Sequence, residues 1–131
     1  MNRASNSPSI RAPASNYSHV VEVEAGSTLY FLAGQTGRIG DGTVPADIEA
    51  QLRACYDNID AVLAHSGLTW RDVVRIKTFV VNSAMDAYRE ARGRVENRRP
   101  NPPPATTLMG IVSLARPELL VEVEVVAAKT A

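Results

Sequence analysis

The chain is poor in the residues that most often carry redox, metal or nucleic-acid chemistry. It has one cysteine and two histidines in 131 residues, and its 14 basic and 14 acidic side chains leave a net charge of zero. The lone Cys55 cannot close an internal disulfide, so a reducing, cytoplasmic setting is expected. His19 and His65 lie far apart and neither neighbours Cys55, so no metal-ligand spacing exists and no metal or organic cofactor is expected. A balanced charge argues against nucleic acid or an anionic membrane as the main partner. No apolar run approaches the ~20 residues of a membrane span, and no apolar leader opens the chain.

The length predicts one domain. Met1–Ser15, rich in Ser, Asn, Pro and Arg, has little to bury and reads as a flexible tail (1–15) ahead of a single domain (16–131). His19–Glu24 and Thr28–Ala33 read as strands of an opening hairpin around Ala25-Gly26-Ser27. The glycine-rich run Gly34–Gly42 fits neither the dinucleotide fingerprint nor the phosphate loop, so it reads as a loop needing positive φ. A glycine at a strand end also leaves backbone N–H groups open to a ligand.

Pro45 and Asp47 signal a helix to about His65, with Gly67 to stop it. Ile48, Leu52, Cys55 or Tyr56, Ile59, Val62 and Leu63 recur at helical spacing, which reads Cys55 as a small buried residue and not a nucleophile. Thr69–Asp72 reads as a capped turn and Val73–Val81 as a β-branched strand. Ser83 and Asp86 read as a capping box opening a second helix to about Arg98, with Tyr88, Ala91 and Val95 inward. The basic end, Arg92–Arg99, lacks interleaved aromatics and reads as a solvated face, not an RNA site.

The last quarter is the most informative. After Pro102–Pro104 the pattern predicts a strand over Thr106–Leu114, a turn at Ala115–Glu118 and a second strand from Leu119. Leu119, Val121, Val123, Val125 and Ala127 share one face of that strand; Leu120, Glu122, Glu124 and Val126 share the other. Two carboxylates in an otherwise apolar run cost free energy unless water, a partner or a ligand satisfies them. The order ββ, α, β, α, ββ predicts an α+β fold with two helices on one face of a mixed β-sheet. The other face is left bare, and packing against further copies would cover it.

Tyr17, Phe31-Leu-Ala-Gly-Gln35, Val44-Pro-Ala-Asp47, the strand Val73–Val80, and Pro104-Ala105 leading to Val121-Glu122-Val123-Glu124 together resemble the YjgF/RidA (Rid) family of small reactive-imine deaminases. The likeness covers nearly everything beyond the tail. It implies a chorismate-mutase-like (YjgF-like) fold and a homotrimer with a ligand cleft at each subunit interface. It also implies Glu122 as the catalytic carboxylate that orients water, with Tyr17, Gly34, Gln35, Ala105, Thr106 and Thr107 binding substrate. In the deaminating members an arginine after Pro-Ala holds the substrate carboxylate; here Thr106 takes its place, which replaces a bidentate charged clamp by one hydroxyl. Arg116, or an arginine of the 92–99 helix end from a neighbouring subunit, are the candidate replacements, each with a solvated surface role as its alternative.

The resemblance therefore implies a cytoplasmic homotrimer that takes a small imine-, enamine- or carbonyl-containing metabolite and hydrolyses it. A non-catalytic metabolite-binding or regulatory trimer is the alternative, and an endoribonuclease ranks below both.

Overall fold

The strict alternation read in the last strand is the axis of the molecule. In a computed structural model covering all 131 residues, the chain order is β1 (Arg3–Ser5), β2 (Val20–Glu22), β3 (Thr28–Phe31), β4 (Gln35–Thr36), α1 (Ile48–His65), β5 (Val73–Val81), α2 (Met85–Ala91), β6 (Ala105–Ile111) and β7 (Val121–Lys129). β7 lies inside a five-stranded mixed sheet ordered β3-β7-β5-β6, with β4 also paired to β7. Val121, Val123, Val125 and Ala127 are at most 1% exposed, whereas Glu122, Glu124 and Val126 stay half-buried on the other face.

Both helices cover the same face. The α1 stripe of Ile48, Leu52, Cys55, Tyr56, Ile59 and Leu63 packs with Tyr88 and Ala91 of α2 and Ile76 and Val80 of β5 into one core. Asp47 caps α1 by accepting from the Ala50 N–H at 2.8 Å. Gly67, with φ of 70°, lets the chain turn away after it. Thr69 and Asp72 form the capping box of a short 3-10 turn that leads into β5. Gln51, fully buried, ties α1 to the approach of β7: its amide donates to the carbonyls of Pro45 and Glu118, and its oxygen accepts the Leu120 N–H at 2.8 Å. No helix is long and apolar enough to cross a membrane.

Four expectations need correction. Both hairpins are absent: the turn at Gly26 forms, but β3 pairs with β7 and β2 with β1. At the other end β6 pairs parallel to β5 while β7 pairs antiparallel to β5 on its opposite side. The reason is the helical segment between β5 and β6, which returns the chain to the starting end of β5 and so makes the two strands parallel. Part of the expected tail is also ordered, because Arg3 bonds Glu22 and the Asn2 amide donates to Ala128 O at 2.9 Å. Finally, α2 has no side-chain cap and ends at Ala91, continuing as 3-10 turns through Arg98.

The bare sheet face carries Phe79 on β5, Met109 on β6, Val126 on β7 and Phe31 on β3, the last 76% exposed. Arg75 and Lys77 on β5, and Glu122 and Glu124 on β7, are set among them.

Candidate functional site

Two carboxylates share the bare face, but their neighbours differ. Across the β5–β7 ladder Glu124 stands opposite Lys77, which offers it a cation, whereas Glu122 stands opposite Phe79. On its other side Glu122 is paired in register with Thr36 of β4. Gly34 closes the surroundings: a methyl group at that position would lie 2.4 Å from Glu122 Oε2, so only glycine leaves room for the carboxylate. The ion pairs of the chain engage Glu22, Glu24, Glu49, Glu96 and Glu118 but not Glu122. Of the glycines in this loop only Gly42 has positive φ, at 90°; Gly34 and Gly37 are called for by close neighbours, Gly37 by the Gln51 side chain.

Thr107 shares the face of Glu122. Its Oγ1 accepts a hydrogen bond from Arg75 Nη2 at 3.1 Å, and in register it sits beside Lys77. Within one copy Thr107 and Glu122 lie two strands and two residues apart, about 12 Å given strand spacings of ~4.8 Å and a rise of ~3.3 Å per residue. One small ligand cannot touch both.

Thr106 points the other way. It pairs with Ile76, whose side chain is in the core under the helices, and its Oγ1 donates to Pro104 O at 3.3 Å. Tyr17 is brought to it by Ser18, which bridges to Ala105, donates its N–H to Pro104 O at 3.1 Å and its hydroxyl to Pro103 O at 2.6 Å. Tyr17 and Thr106 share a cavity of about 390 Å³ whose wall also includes Tyr88, Arg92, Arg99 and Leu108. By register the expected site residues divide: Ala105, Thr107 and Glu122, with Gly34 against the carboxylate, belong to the bare face, Gln35 pairs with the buried Val123 and so faces the core side, and Thr106 lies with Tyr17 at the edge of the sheet under α2. A larger hollow of about 470 Å³, between the β1–β2 pair and Pro100–Pro104, has none of the expected site residues in its wall.

Arg116 sits in an exposed turn and donates to Glu118 at 3.0 Å. The 92–99 helix end is less solvated than its composition suggests. Arg94 reaches Glu49, Arg98 reaches Asp57 and Asp60, and Arg99 is buried against Glu96 and the Tyr56 hydroxyl. The cation that sequence reasoning passed over is Arg75. The alternation of β5 already set it on the face opposite Ile76, Thr78 and Val80; its meeting with Thr107 depends on the β5–β6 register. Burial, and after it the negative charge of Glu122, pushes the Cys55 thiol up to about 12, so it stays protonated and unreactive at neutral pH.

Comparisons with known proteins bear on the family and the fold. The family described as Endoribonuclease L-PSP matches residues 7–129. A RutC family protein of Haemophilus influenzae is 33% identical over 124 residues, 91% of this chain and 92% of that one. The crystal structure of YyfB, a member of the conserved Rid protein family from Yersinia pestis, superposes with a TM-score of 0.80 at 30% identity and covers 98% of both chains. TdcF of Escherichia coli, provisionally named a reactive intermediate deaminase, is 30% identical over 73 residues, 55% of this chain and 56% of its own. Its crystal structure with bound serine shares the fold, with a TM-score of 0.68 at 22% identity over 98% of this chain and 94% of that one.

Proposed function

The chain belongs to the YjgF/RidA family, the one described as Endoribonuclease L-PSP, and on that premise we propose that it hydrolyses a small imine or enamine in clefts formed between three copies. The observation that carries this is Glu122, a carboxylate on the uncovered sheet face, seated against Gly34 and flanked by Phe79 and Thr36 with no cation of its own. An unpaired carboxylate beside an apolar ring is free to accept a proton from water. As the water oxygen bonds to the imine carbon, Glu122 takes the proton and returns it to the nitrogen. Glu122 then carries the remaining hydroxyl proton to the nitrogen as the carbon–nitrogen bond breaks, and ammonia and a carbonyl compound are released. Backbone at Gly34 and Gln35 lies beside the reacting centre and stabilises charge developing there.

The roughly 12 Å between Glu122 and Thr107 within one copy supports a shared cleft, in which Thr107 and the Arg75 guanidinium behind it come from the neighbouring copy. That pair supplies positive charge for an acidic substrate group, which Thr106, standing in place of the deaminases' arginine, does not. RNA cleavage draws no comparable support: Arg94 and Arg98 are committed to acidic partners, and His19 is tied to the Ser7 N–H at 3.1 Å.

Glu122→Gln tests the reading. In an assay that couples an imine-generating enzyme to ammonia detection, the variant is expected to lose at least a hundredfold in kcat while keeping the assembly of the parent. Equal ammonia release by the two proteins removes the mechanism. A parent that binds the metabolite and never turns it over places the protein among binders and not enzymes.

A further inference from the structure

We infer that His19 is a pH-sensitive latch on the N-terminal strap, Met1–Ser9, which walls the hollow of about 470 Å³ beside Pro100–Pro104. As a neutral imidazole His19 holds the strap down; on protonation it lets the strap lift and the hollow open to solvent. The device is independent of the chemistry at Glu122.

The weakness of the strap's other ties is the first argument. β1 and β2 form a two-stranded sheet apart from the main one, with three residues paired on each side, and such a ribbon is marginal in water. Of its first five residues only Asn2 and Ala4 turn inward, where they line the hollow together with Val21, Val73 and Pro104. The pairs of Arg3 with Glu22 and of the Met1 amino group with Glu24 are exposed, and exposed ion pairs add little. Beyond Ser5 the strap is fastened to β2 through one residue: Ser7 N–H donates to His19 Nδ1 at 3.1 Å, and Asn6 Oδ1 accepts the His19 N–H at 2.8 Å. A segment that buries this little and hangs on so few bonds opens at low cost.

The direction of the Ser7 bond is the second argument. A ring nitrogen accepts only while it keeps its lone pair, so the contact requires the neutral ring with its proton on Nε2. Protonation sets an N–H on Nδ1 against the Ser7 N–H and turns an attraction into a repulsion. Histidine is the side chain that changes charge between about pH 5 and 8. No carboxylate stands ready to hold the charged ring in place: the ring beside it is the phenol of Tyr17 at 6.3 Å, Glu22 and Glu24 are taken by Arg3 and the Met1 amino group, and Arg99, which reaches Asn16 O, is paired with Glu96. The latch is therefore shut when the ring is neutral and opens as the pH falls. Ser18 does not move with it, because its N–H and hydroxyl stay on the carbonyls of Pro104 and Pro103.

Amide hydrogen exchange of the full-length protein decides the matter, measured at about pH 7.5 and about pH 5.5, near the two ends of the histidine range, and corrected for the intrinsic pH dependence of exchange. Protection of the strap amides, Ser7 above all, is expected to fall at least fivefold at the lower pH while that of α1 is unchanged. His19→Phe keeps a ring without an acceptor and is expected to show the low protection at both pH values; His19→Gln, whose amide oxygen accepts at either, is expected to show no pH dependence. His19 is half-buried at the surface, so both variants are expected to melt with the parent. Equal strap protection in the parent at the two pH values, a fall of the same size in α1, or a pH dependence that survives in His19→Phe would each overturn the latch.

Discussion

At the scale of single residues, Gly34 and Glu122 behave as one unit. The methyl of a Gly34→Ala variant would meet the far end of the Glu122 side chain, which can swing aside, and not fixed backbone. Stability should therefore fall by only about 1 kcal/mol. Displacing a catalytic carboxylate by about an ångström costs roughly a hundredfold in rate. The expected outcome is a variant that melts within a few degrees of the parent and has almost no hydrolytic activity, measured by calorimetry and by ammonia release. Alternation set Glu122 and Glu124 together on the face opposite the buried valines, and the family resemblance singled out Glu122. What alternation alone does not distinguish is Glu122 from Glu124. That distinction comes from the β5 neighbours, Phe79 for one and Lys77 for the other, and register is not written in either strand by itself.

At the scale of elements, Gln51 shows how a helix and a strand are held in step. Its three hydrogen bonds join the start of α1 to the residues that lead into β7. Replacing it by leucine keeps the volume and leaves two carbonyls and one N–H unsatisfied in a buried place. A loss of about 3 kcal/mol is expected, and with it a melting temperature lower by roughly 10 °C. A thermal scan of Gln51→Leu checks it; a melt within two degrees of the parent would show that water replaces the amide at little cost.

Helix α1 and strands β5 and β7 were legible to within a residue or two, since each has a period, a start signal and a stop signal of its own. The two hairpins were not. A turn such as Ala25–Ser27 shows where the chain bends, but the bend does not name the strand on which β3 lies down; burial of β7 on both flanks decides that. The N-terminal residues were misread for a related reason. Composition reports what a segment can bury, and β1 buries little; it is held by main-chain pairing with β2 and by the Asn2 and Arg3 side chains.

At the scale of the whole molecule, the uncovered face is where further copies are expected to pack. Phe31, Phe79, Met109 and Val126 together make an apolar surface that water leaves unsatisfied. Sedimentation is expected to give three times the 14.1 kDa chain mass. Phe31 is 76% exposed in a single copy, so Phe31→Asp should leave the fold intact and send the mass toward that of one chain. An unchanged sedimentation coefficient in that variant would place the contact elsewhere.

The outer border of β6 has a bearing on how such an assembly stops growing. β6 ends the sheet, and Ser18 bridges only its first residue, so amides farther along could template a further strand. Immediately ahead of it stand Pro102, Pro103 and Pro104, which have no N–H to give. A stray strand creeping along that border toward the start of β6 runs out of donors at the prolines, which limits the length over which it can pair.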